Sequence, residues 1–222
     1  MNKITRNVVA CLIGLSIISC TKVPITGREQ LKLLPDSMMA EMGQTNYAAF
    51  LKENPAVSPP TRQSAEVTAV GLRISKAVEK YMKDNNLSQK IAGYKWEFNV
   101  VDSKEVNAWC MPGGKVVVYT GILPLTKDDA GLAVVMGHEI AHAIADHGNE
   151  RMSQELAVQA AGIGLQVFMQ TKPQATQDIF MSSFGVGSQL GILAYSRQHE
   201  LEADKLGLVF MAMAGYNPER AV

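Results

Sequence analysis

The stretch VVMGHEIAHAIADHG, residues 134–148, places two histidines four apart with a glutamate between them in an otherwise apolar run. If it is a helix, four residues advance about 400°, so His138 and His142 differ by only about 40° around the axis and about 6 Å along it. Both imidazoles then reach toward one point. Glu139 sits about 100° from His138, beside that point and not on it. The flanking Val, Met, Gly, Ile and Ala residues offer the rings no polar partners of their own. Chance would produce this pattern on the order of once in 200 chains of this length. A metal ion shared by His138 and His142, with Glu139 ready to take a proton from a water at the metal, is the better reading.

The helix that carries it predicts its neighbours. Asp128 or Asp129 can cap its start, and Gly148 is the expected stop. A single helix through residue 148 would put His147 on the face opposite His138, as a C-terminal cation or an outer partner of the site. Upstream, DSMMAEMGQTNYAAFLKEN (36–54) reads as a helix with Asp36 as its cap, and PAVSPPT (55–61) breaks it. Val67, Val70, Ile74, Ala77, Val78, Tyr81 and Met82 recur at helical spacing up to Asp84-Asn85-Asn86. In YKWEFNVVD (94–102) the large apolar residues alternate, the period of a strand, and VNAWCMPGGKVVVYTG (106–121) reads as two strands joined at Pro112-Gly113-Gly114. ELAVQAAGIGLQVFMQ (155–170) and FGVGSQLGILAY (184–195) are too short and too interrupted for membrane spans and read as packed core helices. The fold class expected is α+β, mainly helical, with a small mid-sequence sheet.

A catalytic zinc takes three protein ligands and keeps a fourth position open. Outside the helix, the acids and a histidine crowd at 194–207: His199, Glu200, Glu202 and Asp204. Glu200 and Asp204 share one helical face at i, i+4, and Glu202 projects away from it as an exposed acid.

HEIAH at 138–142 followed by SRQHELEAD at 196–204 resembles the M48 family of zinc metallopeptidases, which are gluzincins, and VNAWCMPGG is similar to that family's N-A-x-x-x-P-G-G segment. The resemblance implies a zincin-like domain binding one Zn2+ through His138, His142 and Glu200. Asp204 would hold His138 by a hydrogen bond, and Glu139 would be the catalytic base. His199 is the rival third ligand. It further implies that the N-A-x-x-x-P-G-G segment is an edge strand and turn at the cleft, with Asn107 as a candidate substrate contact. A second stabiliser of the oxyanion is sought among Tyr195, Arg197 and His199.

The amino terminus carries a separate signal. MNKITRNVVACLIGLSIISC has a cationic start and an 11-residue apolar run, too short for a membrane helix and suited to export. Its end, Ile17-Ile18-Ser19-Cys20, resembles a bacterial lipobox, which implies cleavage after residue 19 and a lipid on Cys20. Residues 20–35 then read as a tether and 36–222 as the peptidase domain, cut short at GYNPERAV. Thr21 after the acylated cysteine points to the outer membrane, facing the periplasm. Cys110 is left alone, so the core and not a disulfide holds the fold.

A formal net charge of zero, with charged residues at 19%, excludes a nucleic-acid surface. The function expected is hydrolysis of internal peptide bonds in unfolded or misfolded envelope proteins, as quality control. Two rivals are a lipoprotein with a latent or structural zinc acting as a partner-binding, chaperone-like module, and a zinc hydrolase of cell-wall peptide amides.

Overall fold

The computed structural model describes residues 20–186 and 196–221. Two short strands, β1 (Cys20–Lys22) and β2 (Glu29–Leu31), pair antiparallel. Helix α1 (Asp36–Glu53) follows, then α2 (Arg62–Asp84). Strands β3 (Glu97–Val101), β4 (Ala108–Met111) and β5 (Lys115–Tyr119) form a sheet of order β3-β5-β4. The chain continues through α3 (Asp129–Ile144), α4 (His147–Gln159), α5 (Leu165–Thr171), α6 (Pro173–Ser183) and α7 (Arg197–Met213). This is the α+β, mainly helical architecture. Among the described residues no helix is long and apolar enough to cross a membrane.

The alternation of the three strands builds two cores, one on each face of the sheet. Val100, Ala108, Cys110, Val116 and Val118 point to one face and pack with α2, α3 and α7. Val101, Trp109, Met111, Val117 and Tyr119 point to the other and pack with α1, α4 and α6. With period-two side chains and both faces covered, β5 is buried throughout. Even Lys115 is buried, and it is satisfied by Glu97 and the Lys95 carbonyl. β3 runs parallel to β5, and β4 runs antiparallel to it across the Pro112-Gly113-Gly114 turn, where both glycines have positive φ. β4 is thus an edge strand, lying along α3.

Thr61 and Ser64 form a reciprocal capping box at the start of α2, whose Val67, Val70, Ile74, Val78 and Met82 stripe is wholly buried. Asp128 caps α3, accepting from Gly131 N at 2.9 Å. Helices α3 and α7 pack at a glycine contact: a Cβ on Gly207 would lie 2.8 Å from His138 N. That close approach brings the two helices bearing the polar cluster together.

Four expectations change. Asp36 is not the cap of α1: Pro35 holds that position without a side-chain bond, and Asp36 pairs with Lys32. Residues 20–35 are not a tether: Val23 and Leu34 are buried in the two cores and the hairpin is docked on the helical body. Helix α3 does not run to Gly148. It ends at Ile144, Asp146 turns in the left-handed region at φ 58°, and α4 begins at His147. Lys32 and Lys90 hold Asp146, and Lys90 also reaches the Ile144 carbonyl, where a cation suits a helix C-terminus. Finally, 155–170 is not one packed helix. It breaks after Gln159 at positive-φ Gly162 and Gly164, leaving Val158, Ile163 and Val167 exposed. The companion segment 184–195 lies outside the described residues beyond Val186, as do residues 1–19.

Candidate metal centre

Helix α3 presents His138 and His142 one turn apart, and α7 crosses it to deliver Glu200 and Asp204. His138 Nε2 lies 3.0 Å from His142 Nε2 and 3.4 Å from Glu200 Oε2. His142 Nε2 lies 3.6 Å from Glu200 Oε1. Four ligands at zinc's bond lengths sit on a tetrahedron with edges of about 3.3–3.4 Å, and these separations straddle that value.

Hydrogen bonds fix which nitrogens carry protons. His138 Nδ1 faces Asp204 Oδ1 at 2.8 Å, and a carboxylate accepts, so Nδ1 donates and Nε2 is the nitrogen turned toward His142 and Glu200. His147 Nε2 faces Glu202 Oε2 at 3.0 Å and donates to it. Its Nδ1 is therefore an acceptor, 2.9 Å from His142 Nδ1, which must donate. His142 Nε2 is then bare. The two Nε2 atoms converge, with a buried Glu200 oxygen that has no hydrogen-bond partner beside them. Such a set fits a cation held by all three atoms, and the ligand atoms lie within 4.8 Å of one another.

The electrostatics agree. Burial opposes a charged His138, yet Glu200, Glu139 and Asp204 hold it up at about 9, the mark of a pocket short of positive charge. His142 goes the other way: burial, with His138, His147 and His199 nearby, keeps it neutral, as a ligand must be. Burial also pushes Glu139 up to about 7, with Glu200 adding and His138 opposing. Burial, then Glu139, raises the Cys110 thiol.

A cleft of about 440 Å³ opens on the cluster. His138, Glu139, Glu200 and Asp204 line it on one side, and Val134, Val135, Ile122, Leu208 and Met211 form an apolar wall. A second groove of about 420 Å³ shares Val134, Val135 and Ile122 and extends past exposed Val106 and Leu125.

Other candidates fall elsewhere. Asn107 is almost wholly buried, and neither it nor β4 is among the described residues that line the cleft, whose walls come from α3, α7, Ile122 and Ala221. His199 is neither a third ligand nor an oxyanion donor in the cleft. It is buried behind the site, stacked on His147 with ring centroids 4.4 Å apart and bonded to Glu150 at 3.0 Å. Arg197 is exposed in the first turn of α7. Tyr195 lies outside the described residues. Glu202, expected to be exposed, is buried, because α7 is covered on that side too, and Thr26, Arg28 and His147 all bond to it. His147 is likewise buried and kept neutral: burial lowers it to about 4, with His199 contributing and Glu202 opposing. It is an outer partner of the site, not a C-terminal cation.

Thr26, Arg28 and Glu150 were not read into the site: the first two arrive by the docked β1–β2 turn, and Glu150 lies on α4, which the left-handed turn at Asp146 sets off from α3. The faint signal was the His147/Glu150 pair at helical spacing.

Residues 70–222 match peptidase family M48. A mitochondrial metalloendopeptidase OMA1 of Arabidopsis thaliana is 36% identical over 148 residues, covering 67% of this chain and 29% of that protein. The Saccharomyces cerevisiae protein of the same name is 29% identical over 229 residues, covering 100% of this chain and 64% of its own length. The beta-barrel assembly-enhancing protease of Escherichia coli is 25% identical over 128 residues, 56% of this chain and 26% of that protein. The chain spans less than two thirds of each relative. It belongs to peptidase family M48, the metallopeptidases to which its polar cluster had pointed.

Proposed function

We propose that the chain is a zinc-dependent endopeptidase that cuts internal bonds of unfolded or misfolded proteins in the bacterial cell envelope. The observation that carries this is the near-tetrahedral set of His138, His142 and Glu200, at a cleft that Glu139 lines beside His138 and Glu200. Zinc held there would supply Lewis-acid polarisation to the scissile carbonyl and to the attacking water. Glu139 accepts the water's proton and hands it to the leaving amine. Asp204 keeps the His138 ring oriented. The apolar wall of Val134, Val135, Leu208 and Met211 takes a large apolar side chain next to the cut bond, which unfolded chains expose and folded ones hide.

The envelope setting rests on the export signal of residues 1–19 and the lipobox-like end at Cys20. A relative whose name places it in β-barrel assembly supports it. Because Cys20 already belongs to β1, a lipid there would hold the domain directly at the bilayer, on the outer-membrane side facing the periplasm.

The test is cleavage of an unfolded model protein by the full chain, before chelation, after it, and after zinc is restored. The expected result is internal cutting, read by mass spectrometry, that is lost and regained with zinc. A chain that binds zinc one-to-one yet never cuts would replace this reading with a structural zinc and a partner-binding role.

A further inference from the structure

Behind the metal cluster lies a second polar layer anchored from the far end of the sequence. The β1–β2 connection turns tightly, with Val23 N on Arg28 O at 2.8 Å and Gly27 N on Val23 O at 3.0 Å. Ile25 and Gly27 both take positive φ there, 68° and 70°. This turn aims Thr26 and Arg28 at the buried side of α7. Arg28 Nε donates to Glu202 Oε2 at 2.7 Å, and Thr26 Oγ1 donates to the other oxygen. The two remaining Arg28 nitrogens donate to both oxygens of Glu150, at 3.0 and 2.7 Å. One guanidinium, itself mostly covered, thus pins two buried carboxylates.

Glu202 is the end of a relay. It accepts from His147 Nε2, His147 Nδ1 accepts from His142 Nδ1, and His142 Nε2 is left facing Glu200 and His138. The relay has one alternative, in which each proton sits on the opposite ring nitrogen. That state would set a bare His147 Nε2 against the Glu202 carboxylate, two acceptors in contact, and would place a proton on His142 Nε2, where the metal must bind. A Glu202 carboxylate oxygen held in place as an acceptor forbids it.

We infer that Arg28 is a positioning residue for the metal centre, acting through Glu202 and His147 to keep His142 Nε2 available as a ligand. Docking of the amino-terminal hairpin and metal binding are then one linked event. This rests on the metal reading above.

The test uses the full chain stripped of metal, with zinc affinity measured by chelator competition and the bound site observed by cobalt absorption. The variants are Arg28→Gln, Glu202→Gln and the two combined. Thr61→Ala is the control: it removes the capping box of α2, which belongs to neither the hairpin nor the relay. Each single variant should bind zinc about ten-fold or more weakly. The pair should be no weaker than Glu202→Gln alone, because both act on one line. Thr61→Ala should melt earlier but keep the parent's affinity and cobalt spectrum.

A folded Arg28→Gln chain with the parent's affinity would overturn the inference, and so would additive losses in the pair. Should Arg28→Gln not fold, Glu202→Gln decides: the parent's affinity there overturns it too. A parent chain that takes up no zinc would instead sink the metal reading itself, and that result is read first.

Discussion

Replacing Gly207 with alanine puts a methyl group into the tightest contact between the two helices of the site. The new Cβ would lie 2.8 Å from His138 N, 3.0 Å from Gly137 C and 3.1 Å from Gly137 O, where ordinary contact begins at 3.4 Å. All three are backbone atoms and cannot rotate away. Helix α7 must therefore retreat by roughly 0.6 Å, the shortfall at the closest of them. Glu200 lies seven residues back, about two turns and on the same face, so it moves with the helix. The Glu200–histidine separations of 3.4 and 3.6 Å then widen to about 4 Å, past the tetrahedral edge of about 3.3–3.4 Å. Overpacking costs about 1–3 kcal/mol, and alanine's better helix propensity returns about 1 kcal/mol. Net destabilisation is thus small, and metal affinity is the sharper readout. Chelator competition should find zinc bound at least several-fold more weakly by Gly207→Ala, with only a modest loss in denaturant midpoint. Undiminished zinc affinity in the variant would refute the idea that this crossing sets the ligand spacing.

Asp204→Ala should lower zinc affinity about 10–100-fold by releasing the His138 ring, with little change in unfolding, since Asp204 is exposed. Chelator competition beside a denaturant titration checks both halves. Asp128→Ala should lower the denaturant midpoint in the same titration by uncapping α3, while zinc affinity stays at the parent's value. Glu150 gives a pH signature. Burial works to raise it, but His199 and Arg28 win and hold it at about 2, below the ordinary 4.5. A carboxylate depressed in the folded state stabilises fully above its unfolded value and loses that contribution as pH falls. Melting temperatures should therefore drop between about pH 4.5 and 2, and Glu150→Gln should flatten that part of the curve.

What could be read from the chain was what short-range geometry dictates. The i, i+4 pairs His138/His142 and Glu200/Asp204 needed only helical periodicity to face one point, and the burial of α2 and the β4–β5 hairpin followed from their own side-chain periods. Three of the errors share one cause: a partner far away in sequence decided each. His147 turns back toward His142 because Lys32 and Lys90, more than fifty residues upstream, hold Asp146 where α3 ends. Glu202 is buried because a hairpin beginning at residue 20 covers the second side of α7, and the same docking turned a supposed tether into part of the domain. Residues 155–170 are apolar enough for a core helix, but Gly162 and Gly164 break them at the surface.

The most direct measurement compares the zinc-loaded chain with its Glu139→Gln variant on an unfolded protein, with bound metal quantified in both. Glu139 lines the cleft beside His138 and Glu200 without being one of the three candidate ligands. The variant should keep one zinc and cut about 10²–10⁴-fold more slowly. A variant that cuts as fast as the parent, metal in place, would contradict Glu139 as the proton carrier and with it the catalytic reading of this site.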